Sequence, residues 1–174
     1  LEAEAAAFVQ EGQTVQELLE KAFHRYGSEE RTAVRYGDRE VSYKELDRMA
    51  DGVAYWLLRE KGLKEGTAVG VLMEDRVAVI AAMIGILKAG CVFVPLDSAY
   101  PGERLDMMTK TADIALVLTD RANYEQWKEN KNTVECACYD ELQSDRVLDW
   151  TARSYQPDDV IYIYFTSGST GTPR

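Results

Sequence analysis

Residues Val160 to Arg174 (VIYIYFTSGSTGTPR) run a β-branched and aromatic segment straight into a loop built almost wholly of Gly, Ser and Thr. That composition suits the capture of phosphate oxygens. Gly168 and Gly171 let the backbone take positive φ and come close to a ligand, so that successive N–H groups converge on an anion. Thr166, Ser167, Ser169, Thr170 and Thr172 add hydroxyl donors, and Arg174 adds a cation. The spacing sets aside one common phosphate chemistry. The loop of P-loop nucleoside triphosphatases puts four residues between its glycines and follows them with Lys and then Ser or Thr. Here only Ser169 and Thr170 separate Gly168 from Gly171, and no Lys follows. An isolated stretch of this kind is otherwise an ordinary solvated turn, so the order of residues and the segments upstream must decide.

The string YFTSGSTGTPR resembles the phosphate-binding motif of the adenylate-forming enzyme superfamily, which reads Thr-Ser-Gly-Ser/Thr-Thr-Gly-x-Pro-Lys. That superfamily comprises acyl-CoA synthetases, luciferases and the adenylation domains of nonribosomal peptide synthetases. The match departs at Arg174, where the family usually has Lys and a planar fork replaces a compact ammonium. Leu87 to Leu105 (LKAGCVFVPLDSAYPGERL) is similar to the second core motif of peptide synthetase adenylation domains, and Val41 to Leu46 (VSYKEL) to the first. The run from Asp97 to Leu105 resembles the amino-acid-activating branch more closely than the acyl-CoA synthetases or luciferases.

The resemblance implies an α/β fold, a helix-covered β-sheet, in which residues 1–174 are the N-terminal portion of an AMP-binding adenylation domain that stops at the phosphate-binding loop. It implies attack of an amino acid carboxylate on ATP, with Mg²⁺, and transfer of the aminoacyl group to a phosphopantetheinyl carrier-protein thiol, with a condensation domain as a further partner. The phosphate contacts fall to Thr166, Ser167, Gly168, Ser169, Thr170, Gly171 and Arg174, while Pro173 shapes the loop. No catalytic residue or metal ligand is expected within the chain, because the substrate pocket and catalytic lysine of such enzymes lie further on, and the chain alone is expected to be inactive. Two alternatives stay open: a fragment of an acyl-CoA synthetase or other acyl-adenylating enzyme, and a non-catalytic binding or interaction module of the same fold.

The elements that must position this loop are legible as alternating patterns. Thr14 and Glu17 form a capping box before a helix with Val15, Leu18, Leu19, Ala22 and Phe23 at helical spacing, closed by Gly27. Thr32 to Tyr36 and Arg39 to Ser42 flank Gly37-Asp38 as a hairpin. Ser42 and Glu45 form a second capping box, for a helix ending near Gly62 with Leu46, Met49, Ala50, Val53 and Leu57 on its buried stripe. Strand, helix and strand follow at Ala68 to Met73, Arg76 to Ala89 and Cys91 to Pro95. The middle helix is apolar on nearly every side, so it is placed in the interior. A short helix at Pro101 to Thr111, a strand at Ile114 to Leu118, a polar helix at Arg121 to Asn130 and a strand at Thr133 to Ala137 come next. Gln156 to Asp159 reads as a turn before a last strand, Val160 to Phe165. A glycine-rich loop leaving the C-terminal end of such a strand lies where α/β sheets bind ligands.

Composition narrows the class further. A chain of 174 residues, 46% hydrophobic and 29% charged, is long enough to bury a core, and a single domain or part of one is the natural count. A net charge of −10 disfavours general attraction to nucleic acid or an anionic membrane, so any phosphate binding must be local. The longest uncharged apolar stretch, Val77 to Leu87, is too short to span a bilayer, and Leu1 to Gln10 carries acids where a signal peptide has a basic start, which points to the cytoplasm. With three cysteines, Cys91, Cys136 and Cys138, and His24 as the single histidine, no zinc set assembles. Cys136 and Cys138 read as reduced packing residues and His24 as a surface residue. Asp97, Glu103, Arg104 and Asp106 read as solvated or capping charges around a helix start, with Tyr100 and Pro101 packing the loop before it.

Overall fold

The computed structural model describes residues 13–29, 31–130, 132–142, 147–148 and 155–166. The first helix, α1 (Val15–Tyr26), begins at the expected capping box: the Thr14 hydroxyl accepts from the Glu17 N–H at 3.1 Å and the Glu17 carboxylate accepts from the Thr14 N–H at 3.0 Å. Its apolar face is shallower than its spacing suggests, since Phe23 is buried but Val15 is 42% exposed. Gly27 caps the helix in a right-handed conformation and continues into a short 3₁₀ turn. The hairpin of β1 (Thr32–Tyr36) and β2 (Arg39–Ser42) is antiparallel and turns at Gly37, whose φ of 58° is the left-handed value such a turn needs.

Ser42 ends β2 and caps α2 (Tyr43–Tyr55), accepting from the Glu45 N–H at 3.2 Å, but the Glu45 carboxylate does not return the bond, so only half of the second box forms. The helix continues as a π turn, Trp56–Glu60, in which the Lys61 N–H reaches the Trp56 carbonyl. Nothing in the sequence pattern announces that widening. It keeps Leu57 fully buried while the chain leaves toward Gly62.

The main sheet has four strands in the order β4-β3-β5-β6, all parallel: β3 (Ala68–Leu72), β4 (Val92–Pro95), β5 (Ile114–Thr119) and β6 (Glu135–Cys138). Connecting them are α3 (Arg76–Lys88), α4 (Gly102–Thr111) and α5 (Arg121–Glu129). Both faces are covered, as parallel sheets require. Val69, Val71, Leu116 and Leu118 face one core with α2 and α3, while Ala68, Leu72, Ile114 and Val117 face a second with Leu105, Met108 and Trp127 of α4 and α5.

Helix α3 is central to the first core. Val77, Ala81, Ile84, Ile86 and Leu87 are buried, but Val79, Ile80 and Met83 are only half-buried, so it lies at the inner layer rather than being enclosed on every side. It packs on α2 at contact distance, because a Cβ on Gly85 would stand 2.6 Å from the Ala50 carbonyl oxygen. Its end is a Schellman motif: the Gly90 N–H bonds to the Leu87 carbonyl, the Cys91 N–H bonds to the Ile86 carbonyl, and Gly90 has φ of 71°. Engaging Cys91 in this cap delays β4 to Val92.

Two strand expectations shift. The last paired strand starts at Glu135 rather than Thr133, because the Trp127 indole N–H takes the Val134 carbonyl at 3.0 Å. Val160 to Phe165 forms no full strand. Its pairing is one parallel bridge, Tyr162 to Phe93 on the free edge of β4, with the Phe93 N–H donating to the Ile161 carbonyl at 2.9 Å and the Ile163 N–H to the Phe93 carbonyl at 3.0 Å. Ile163 and Phe165 pack toward the second core, whereas Tyr162 and Tyr164 are 56% and 58% exposed.

Candidate functional site

Because the bridge at Tyr162 is parallel to β4, Tyr164 to Thr166 run toward the edge where β3, β4 and β5 end. Thr166 is exposed at that edge. The other expected phosphate contacts, Ser167, Gly168, Ser169, Thr170, Gly171 and Arg174, lie outside the described residues. The segment enters a cleft of about 310 Å³ that Tyr164 and Phe165 share with Glu74 and Arg76 after β3 and with Asp97 and Ser98 after β4. Ligand sites of parallel α/β sheets occupy this C-terminal edge.

The acids of the edge are already engaged. Asp75 caps α3, accepting from the Val77 N–H at 2.8 Å and the Ala78 N–H at 3.2 Å, and pairs with Arg39 at 2.8 Å. Burial alone would raise its pKa, but the Ala78 and Val77 amides together with Arg39 outweigh burial and hold the carboxyl below the usual carboxylate range. Glu74 accepts from the Ser98 hydroxyl, and its N–H donates to Asp120 at 2.9 Å, which also caps α5. Asp120 thereby stitches the loops after β3 and β5 together. Tyr139, just beyond β6, is pushed up to about 12, by burial first and by the Asp75 charge second.

The charged cluster after β4 behaves as capping and surface chemistry. Asp97 accepts from the Ala99 N–H at 2.9 Å, and Asp106 holds Lys110 at 2.5 Å and Thr133 at 3.3 Å. The Arg104 guanidinium lies over the Tyr100 ring at 3.9 Å, and its Nε has no hydrogen-bond partner. His24 is exposed, and Cys91, Cys136 and Cys138 are free thiols. Among the described residues no group of His, Cys, Asp and Glu is arranged to hold a metal ion, and no helix is long and apolar enough to cross a membrane. A larger cavity, about 410 Å³, opens at the opposite edge beside Gly66, Gly90 and Cys91; among the described residues Glu65 and Asp159 line it without a cation, whereas Arg76 stands beside Glu74 and Asp97 in the first cleft.

Lys88 is a residue that sequence reasoning missed. In the last turn of α3 it is fully buried, its ammonium paired with Asp51 and lying 3.3 Å from Asp47, both on α2. The available signal was a lysine ending an apolar helix, opposite two acids spaced one turn apart.

The profile of the AMP-binding enzyme family matches residues 19–174. Gramicidin S synthase 2 of Brevibacillus brevis is 34% identical over 167 residues, covering 92% of this chain and 4% of that protein. Among solved structures, the Klebsiella oxytoca NpsA N-terminal subdomain superposes with a TM-score of 0.76 at 21% identity, over 94% of this chain and 41% of that one. The nonribosomal peptide synthetase FmoA3, solved with α-methyl-L-serine-AMP bound, superposes with a TM-score of 0.76 at 28% identity, over 91% of this chain and 17% of that one. The chain thus spans less than half the length of the relatives it matches.

Proposed function

This chain belongs to the AMP-binding enzyme family, and from that premise we propose that it is the N-terminal portion of an amino-acid-activating adenylation domain of a nonribosomal peptide synthetase, residues 1–174, supplying the loop that binds the phosphates of ATP. The observation that supports the reading is the parallel bridge at Tyr162, which directs Tyr164 to Thr166 toward the C-terminal edge of the sheet. Thr166, Ser167, Gly168, Ser169, Thr170, Gly171 and Arg174 hold the β- and γ-phosphates through N–H groups, hydroxyls and the guanidinium. Holding the leaving pyrophosphate in line lets the amino acid carboxylate attack the α-phosphate, a step otherwise slowed by repulsion between negative charges. The aminoacyl group then passes from the adenylate to a phosphopantetheinyl carrier-protein thiol with release of AMP, and a condensation domain is the next partner.

ATP fits this edge, whose cleft is open and carries Arg76. A resident protein-held Mg²⁺ does not fit the described residues, since Glu74 and Asp75 are spent on Ser98 and on the α3 cap. The reading is tested by amino-acid-dependent exchange of pyrophosphate into ATP in a natural polypeptide carrying this chain. Exchange is expected, and Arg174→Ala lowers it by roughly 100-fold, as loss of one charge-stabilising donor does. Stimulation by fatty acids instead of amino acids would contradict the assignment.

A further inference from the structure

We propose that Asp51 and Lys88 anchor the segment that reaches β4, Asp51 at Leu148 and the Lys88 backbone carbonyl at Tyr155, and so set where Ile163 and Thr166 lie. The loop's phosphate role rests on the function proposed above; the positioning rests on geometry alone.

The Lys88 and Asp51 side chains are 1% and 4% exposed. A pair so deeply buried is weak evidence for stability, because desolvating two charges offsets their attraction and apolar residues would serve as well. What it does provide is anchorage. The Asp51 carboxylate accepts from the Leu148 N–H as well as from Lys88, and Leu148 is buried against the same core. The Lys88 carbonyl, one of the last four of α3 that lack a partner within the helix, accepts from the Tyr155 hydroxyl at 2.8 Å. Leu148 and Tyr155 are thus tied to the Asp51 carboxylate and to the Lys88 main chain.

From Tyr155 the chain reverses in a tight turn, the Asp159 N–H bonding to the Gln156 carbonyl at 3.0 Å and the Gln156 N–H to the Asp159 carboxylate at 2.8 Å. It then meets β4 through two backbone bonds to Phe93, with Ile163 and Phe165 packed on the second core. Its placement along that edge depends as well on where the turn is held. Lys88 and Asp51 hold it.

The test compares three variants of the 174-residue chain by hydrogen exchange and mass spectrometry without nucleotide, so that failure of the phosphate reading leaves the result standing. Lys88→Met with Asp51→Leu removes both charges and the acceptor for Leu148. Lys88→Met with Asp51→Asn removes the charges but keeps an oxygen for Leu148. Tyr155→Phe removes only the hydroxyl. The Leu-containing double variant and Tyr155→Phe are expected to exchange roughly tenfold faster at Phe93 and Ile163, the scale of one lost hydrogen bond, with β3 and β5 unchanged, while the Asn-containing variant keeps its protection. Wild-type protection in the Leu-containing variant, uniform loss across the sheet, or equal loss in the Asn- and Leu-containing variants would overturn the proposal.

Discussion

Gly85→Ala probes the contact between α2 and α3 on which the first core depends. The added methyl would stand 2.6 Å from the Ala50 carbonyl oxygen and 2.7 Å from the Val53 Cβ, where ordinary contact begins at 3.4 Å. Neither neighbour is a flexible side-chain end, so the helices must part by roughly 0.8 Å, the gap between 3.4 and 2.6 Å. Overpacking of this kind costs about 2–3 kcal/mol, and alanine's better helix propensity returns about 1 kcal/mol. The net loss is ~1–2 kcal/mol, which for a domain of this size lowers Tm by about 2–8 °C. Because Lys88 lies one turn further along the same face, the parting also loosens its pair with Asp51. Circular dichroism melts of the wild-type and Gly85→Ala chains measure the difference. A variant that melts at or above the wild-type temperature would refute the close-contact reasoning.

Asp75→Ala removes the α3 cap and should cost about 1 kcal/mol in denaturant titration. Since the folded Asp75 carboxyl titrates below 3.8, its usual value, its contribution is complete above that pH and disappears as pH falls through the folded value, and Asp75→Asn should flatten the acid limb of stability there. Tyr139 behaves in the opposite sense. With its folded pKa raised from 10.0 to about 12, it favours the folded state fully below pH 10 and loses that contribution as pH rises toward 12; Tyr139→Phe should weaken the alkaline loss, followed by ultraviolet tyrosine titration and melts.

Features set by neighbours in sequence were the legible ones. The Thr14–Glu17 box, the hairpin turning at Gly37 and the α3 boundaries all follow from capping, turn chemistry and periodicity within a few residues. Features set across the fold were not. Trp127 takes the Val134 carbonyl through its own helix placement, and Val160 to Phe165 pairs only as far as the edge of β4 allows. The Lys88–Asp51 pair joins residues 37 apart in sequence, beyond any local pattern. For the site, sequence order alone named the loop; the structure adds the strand geometry that carries Thr166 to its edge and the acids that close the neighbouring loops.

Titration of ¹⁵N-labelled chain with ATP and Mg²⁺, followed by amide chemical shifts, tests phosphate binding by this loop most directly. Shifts are expected at Thr166 to Gly171 and at Arg174, saturating on the order of millimolar, about −4 kcal/mol, because the loop supplies only part of a nucleotide site. Shifts confined to Gly66 and Gly90 to Val92 at the opposite edge, or none at the loop, would contradict phosphate binding there.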